Sequence, residues 1–206
     1  MSVNQICLPF VEKKCYLRDS SHGISHMLQV QQNALKIYEG ENINDDHIKT
    51  LCEVVAILHD VADHKYDNNK TLSQQVKEFL QTNFPTDAIL IWNIIERISY
   101  SKEVKSKADW SNVLGPIGIL VRNIVSDADK LEAIGKTGLQ RCINFTKLQY
   151  LHKNGKEILP EELNSEVYKH AFEKLLVLKD KFIYTATGKK MAKPLHSELV
   201  IALTEM

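Results

Sequence analysis

The segment Ala56-Ile57-Leu58-His59-Asp60 sets a histidine and an aspartate side by side at the end of an apolar run, and Asp63 follows three residues later. A carboxylate drawn into such surroundings is costly unless it is paired, hydrogen-bonded or bound to a metal. Other residues of chemical interest recur in helical frames. His22 and His26 stand four apart and so share a helix face. Asp127 and Asp129 follow the apolar run ILVRNIV. Lys65, Arg97 and Lys102 are cations that could hold an anion, and His170 and Lys174 are again four apart. Each set alone is a weak signal. A lone HxxxH is more often a chance pair than a metal site, exposed lysines are common, and a His-Asp pair can simply end a helix. Asp129, two residues past Asp127, points elsewhere on the helix and reads as a structural salt-bridge partner.

These residues need elements to position them, and the periodicity is helical nearly throughout. His26, Val30, Ala34 and Ile37 mark one helix face, with Asp19, Ser20 or Ser21 as caps and Gly40 as a stop. A second helix is predicted from Asn44-Asp45 through His59-Asp60. A third covers Thr71 to Thr82, and NFPTD breaks it. DAILIWNIIERISY is apolar on several faces and is expected to be central. Residues 101–118 show no period and read as a long loop, a length usually tied to function or mobility. ILVRNIVSDADKLEAIGKTGLQRCINF is helical again, with Gly135 and Gly138 allowing close packing or a kink. SEVYKHAFEKLLVLKDKFI forms a last long helix, with a short one after TATGKK. No strand pair emerges, so the fold class is all-α.

The 206 residues suit one domain, 1–206, with its core about 19–195 and residues 1–18 as an N-terminal extension. Lys+Arg and Asp+Glu both number 26, so no net charge draws the chain to nucleic acid or an anionic membrane. Nor do aromatic and basic residues interleave as in a nucleic-acid surface. The four cysteines show no CxxC spacing and read as reduced thiols, a Cys7–Cys15 disulfide being the less favoured alternative. The opening MSVNQICLPFVEKKCYL has neither a basic n-region nor a long apolar stretch, so no signal peptide is expected. No transmembrane helix is expected either. The setting is expected to be cytoplasmic, with a nuclear one also open.

The blocks DSSHGISHMLQV, AILHDVADHKY, IVSDADKLEAIGKTGLQR and YKHAFEKLLVLKD occur in the order found in the HD-domain metallohydrolases. The chain resembles their small single-domain subfamily of bacteria, fungi and some viruses over about residues 19–195. The resemblance implies a helical bundle of the HD type. It implies a metal held by His26, His59, Asp60 and Asp127, with His22 close to the site. Two imidazoles and two carboxylates suit one divalent ion of borderline hardness, Mn²⁺ favoured over Ni²⁺, Co²⁺, Fe²⁺ or Mg²⁺. Gly23, Gln29, Lys130 and Glu132 depart from the usual pattern without touching those four.

The expected function is that of a metal-dependent phosphohydrolase acting on a small phosphorylated substrate, a nucleotide by resemblance. Asp63 and Lys65 are the catalytic candidates. His22, Lys65, Arg97, Lys102, His170 and Lys174 are the candidates for binding substrate. A non-catalytic HD module that binds metal or nucleotide and acts through a partner is the alternative. A di-iron HD oxygenase is disfavoured, because no paired histidine motif lies between the His-Asp pair and the last aspartate. A homodimer would suit a compact helical domain.

Overall fold

The computed structural model describes residues 1–16, 18, 23–63, 66–67, 69–105 and 109–206. The described residues form helices and turns without a strand, as an all-α chain should. They fall into two compact units, Met1–Asp129 and Lys130–Met206.

In the first unit, α1 (Val3–Cys15), α2 (Ile24–Gly40), α3 (Asp46–Leu58), α4 (Thr71–Asn83), α5 (Ala88–Ile95) and α6 (Tyr100–Lys105) precede α7 (Ser111–Glu132), whose last turn holds the boundary. α3 is the centre. Val54 to Leu58 are buried in unbroken succession, so the C-terminal half of this helix is apolar on every side, and the helix packs on α1, α2 and α5. α5 was the expected centre, but Ile89 on it is 77% exposed. Near the N-terminus, α1 seats Cys7, Val11 and Cys15 in the core.

Local chemistry sets the ends. Asp45 caps α3, its carboxylate accepting from the His47 and Ile48 amides. α2 starts from Gly23 with no side-chain cap; the proposed caps Asp19, Ser20 and Ser21 lie outside the described residues. α3 stops at Leu58, so His59 and Asp60 sit in the turn that ends it rather than inside it. Residues 101–118 are not one loop: α6 covers their start, and α7 begins at Ser111. Gly115, at φ 62 and ψ 178, breaks α7 just before Pro116, where proline suits a first helical turn.

The second unit holds α8 (Gly135–Asn154), α9 (Pro160–His170), a π-helical turn (Ala171–Leu175), α10 (Leu176–Lys181) and α11 (Ala186–Thr204). The stretch read as one helix across Gly135 and Gly138 is broken. A Cβ on Gly138 would fall 2.3 Å from the Ala133 carbonyl carbon, a distance only glycine tolerates. The helix after TATGKK has 19 residues rather than being short, with Thr185 capping it through the Gly188 amide. Leu139, Val167, Leu175, Leu178, Ala192 and Leu199 supply this unit's core. All four cysteines are buried, unpaired thiols. Burial pushes Cys7 and Cys52 up to about 12, which leaves them unreactive near neutrality.

Candidate metal centre

Three segments of the first unit deliver ligand-type side chains to one place. His26 stands in the first turn of α2, His59 and Asp60 in the turn that closes α3, and Asp129 in the last full turn of α7. His26 Nε2 lies 3.6 Å from Asp60 Oδ2 and 3.3 Å from Asp129 Oδ1. His59 Nε2 lies 3.5 Å from Asp60 Oδ1 and 3.8 Å from Asp129 Oδ1. Atoms sharing one ion through bonds of about 2.1 Å stand roughly 3.0–3.5 Å apart, close to these separations.

The hydrogen bonding of His59 says what belongs between these groups. Its Nδ1 donates to Ala56 O at 2.7 Å, which turns the Nε2 lone pair toward the two carboxylates. Nε2 is buried and has no hydrogen-bond partner among the described residues. Acceptors thus face an acceptor, and a proton or a cation has to fill the gap. Burial by itself pushes the imidazole pKa down. Asp60 and Asp129 overcome it and raise the value from 6.5 to about 9. Burial likewise pushes the Asp129 carboxyl up, and the facing His26 and His59 rings hold it well below the usual carboxylate range. The residues present fit a divalent cation.

Asp127 lies two residues before Asp129 on α7 and is fully buried. The ligand atoms that gather within 4.8 Å of one another come from His26, His59 and Asp60, and Asp129 Oδ1 joins them through its 3.3 and 3.8 Å approaches to the two imidazoles. Side chains two residues apart on a helix point about 200° from each other. Asp129 is turned to the imidazoles, and the helical turn directs the Asp127 side chain elsewhere. Asp129 is the group the sequence reading assigned to a structural salt bridge.

His59, Asp60 and Asp129 line a cavity of about 530 Å³. Asp63 and Lys102, both candidates from the sequence, line it, and so do Lys70, Lys77 and Trp92, which were not. Asp67 holds this wall in place. It accepts from the Leu72 and Ser73 amides at 2.8 Å and from Ser73 Oγ at 2.5 Å, tying down the start of α4. Lys70 precedes α4 in the left-handed conformation, at φ 58 and ψ 18. Lys77 sits over Trp92, 4.7 Å from the ring centre. Arg97 lines a neighbouring cavity of about 380 Å³, with Lys102, Lys105 and Trp110, and its Nη1 donates to Asn93 O. His22 and Lys65 lie outside the described residues. His170 and Lys174 belong to the second unit, at the end of α9 and in the π-helical turn.

No protein-family model matches the chain. An uncharacterized protein of Acanthamoeba polyphaga mimivirus is 32% identical over 141 residues, 64% of this chain but only 57% of that protein's length. The Bacillus subtilis protein YpgQ is 28% identical over 183 residues, 86% of this chain and 79% of YpgQ. Its crystal structure in complex with ADP matches at TM-score 0.68 and 23% identity, covering 98% of this chain and 92% of that one. An HD-superfamily hydrolase from Bacillus thuringiensis matches at TM-score 0.61 and 24% identity, covering 98% and 93%. The chain therefore shares the fold of these structures.

Proposed function

We propose that this protein is a metal-dependent phosphohydrolase whose substrate is a nucleotide. The observation that carries the reading is the His59 imidazole, buried with its Nε2 unpartnered among the described residues, against two carboxylates in a lysine-lined cavity. His26, His59, Asp60 and Asp129 would hold one divalent ion. That ion, when bound, lowers the pKa of a water and draws charge from a phosphoryl oxygen.

The protein's own groups supply the rest. Asp63, beside the ligand turn on the cavity wall, accepts a proton from the attacking water. Lys70, Lys77 and Lys102 balance the charge spread over the phosphoryl oxygens, which one divalent ion cannot cover. Trp92 offers a flat apolar surface in the same cavity. The ADP complex of YpgQ, which shares the fold, supports a nucleotide as ligand. The mixed imidazole and carboxylate donors favour Mn²⁺ or a neighbouring transition ion over Ca²⁺.

The test is a phosphate- and pyrophosphate-release screen across nucleoside mono-, di- and triphosphates with Mn²⁺, Co²⁺, Ni²⁺ and Mg²⁺. Turnover of one nucleotide class, lost with Asp129→Asn, is the expected result. Turnover that persists in excess EDTA would overturn the assignment.

A further inference from the structure

Arg18 belongs to none of the motifs above, yet its guanidinium reaches the ligand turn 42 residues further along the chain. Nη1 donates to Asp60 O and Nη2 to Val61 O, each at 2.5 Å. The guanidinium carbon stands 4.3 Å from the centre of the Tyr66 ring, so the planar group is held on its face as well as along its edge. The backbone of Arg18 is itself fixed. Its amide donates to Cys15 O at 3.0 Å, at the end of a helix whose Cys7, Val11 and Cys15 are buried.

We propose that Arg18 is a positioning residue for the metal ligand Asp60, clamping from outside the turn that presents it. The inference rests on the reading of Asp60 as a ligand. The last carbonyls of a helix lack intrahelical donors, and the turn after α3 is otherwise closed by Val61 N to Leu58 O and Asp63 N to Asp60 O, both 3.1 Å. Two consecutive carbonyls aimed at one planar fork are a match for arginine. Lysine, a point charge, cannot bridge both in that geometry. A cation here also complements the negative end of the α3 dipole. Because the backbone of Asp60 sets where its carboxylate points, fixing its carbonyl and the next one fixes the ligand. Tyr66 keeps the fork in plane, and both lie close to the turn they serve.

The experiment titrates wild type, Arg18→Gln and Arg18→Lys with Co²⁺, reading Kd and the visible absorption band, and records Tm for each. Arg18→Gln should weaken Co²⁺ by at least about tenfold, the scale seen when groups that orient metal ligands are lost, and should alter the band. Arg18→Lys, which keeps the charge but not the fork, should recover only part of the affinity. It also keeps the test decisive if Arg18→Gln fails to fold. A lower Tm with wild-type Kd and band in the folded variants would make Arg18 merely structural and overturn the proposal. Failure of the wild type to bind Co²⁺ would instead remove the metal centre, and this inference with it.

Discussion

Asp129→Asn and Asp127→Asn form the sharpest pair of perturbations, because each removes one charge at nearly constant shape. Asp129 Oδ1 stands 3.3 and 3.8 Å from the two imidazoles, whereas Asp127, two residues earlier on α7, is fully buried. The strength of the field is legible from His59. Asp60 and Asp129 together lift its imidazole from 6.5 to about 9 against burial, which corresponds to about 3 kcal/mol for one positive charge. Removing one partner of a buried charge pair costs about 3–5 kcal/mol, so losing Asp129 from beside a dication is worth roughly a hundredfold or more in Kd. Asp129→Asn should therefore weaken Mn²⁺ at least about a hundredfold by electron paramagnetic resonance titration. Asp127→Asn should lower Tm while leaving the Mn²⁺ Kd within about threefold, since a buried polar change away from the ligands acts on folding. The reverse pattern, with Asp127→Asn abolishing binding and Asp129→Asn sparing it, would refute the assignment of the α7 face.

Chelation should abolish hydrolysis, and Mn²⁺ should restore more of it than Ca²⁺, which wants six to eight oxygens; the check is rate against added metal after EDTA and dialysis. His59 gives a pH signature in the metal-free protein. Its pKa is raised from 6.5 to about 9, so its stabilising contribution is complete below pH 6.5 and is lost as pH rises through 9. Chemical denaturation at pH 6 and pH 9.5 should show a loss on the order of 3 kcal/mol that His59→Gln lacks. Lys70→Gly should relieve the left-handed strain at φ 58, stabilising by about 1 kcal/mol, while raising KM for the nucleotide several-fold. A variant that gained stability with KM unchanged would remove Lys70 from the substrate side.

Much of the fold was legible because α2 and α3 carry their own signals. Asp45 caps α3 where the pattern begins, and Gly40 ends α2 at the predicted stop. What failed was continuity. The long stretch from Ile119 is apolar or helix-forming on both sides of Ile134, and only the backbone approach at Gly138 shows that the chain must turn there. The 101–118 segment misled for the opposite reason. Gly115 and Pro116 are breakers by type, but here they start a helix instead of ending one. α1 was missed because its buried face is carried by only Cys7, Val11 and Cys15, a thin apolar stripe.

The site divides along the same line. His26, His59 and Asp60 stood out as candidates because their types are rare in apolar frames, and the fold gathers their ligand atoms within 4.8 Å of one another. Asp127 and Asp129 could not be separated by type, and the motif contains both. Helical phase would normally choose between them, but α7 buries Arg122, Ser126, Asp127 and Lys130 alongside Val121, Ile124, Val125 and Ala128, so no exposed face marks the register. What favours Asp129 is its place beside the His26 and His59 rings, which only the folded chain displays. Lys70 and Lys77 were invisible for a related reason. Their place beside the metal cluster depends on how α4 packs on α5, a contact no local pattern encodes. Arg18 is the extreme case. It acts through two backbone carbonyls, groups every residue possesses, so nothing in the sequence of its target could have announced it. Residue type narrows the candidate ligands, but what would aim them is set by backbone geometry, and a variant that spares all four candidates is expected to weaken metal binding if it loosens the turn at Asp60.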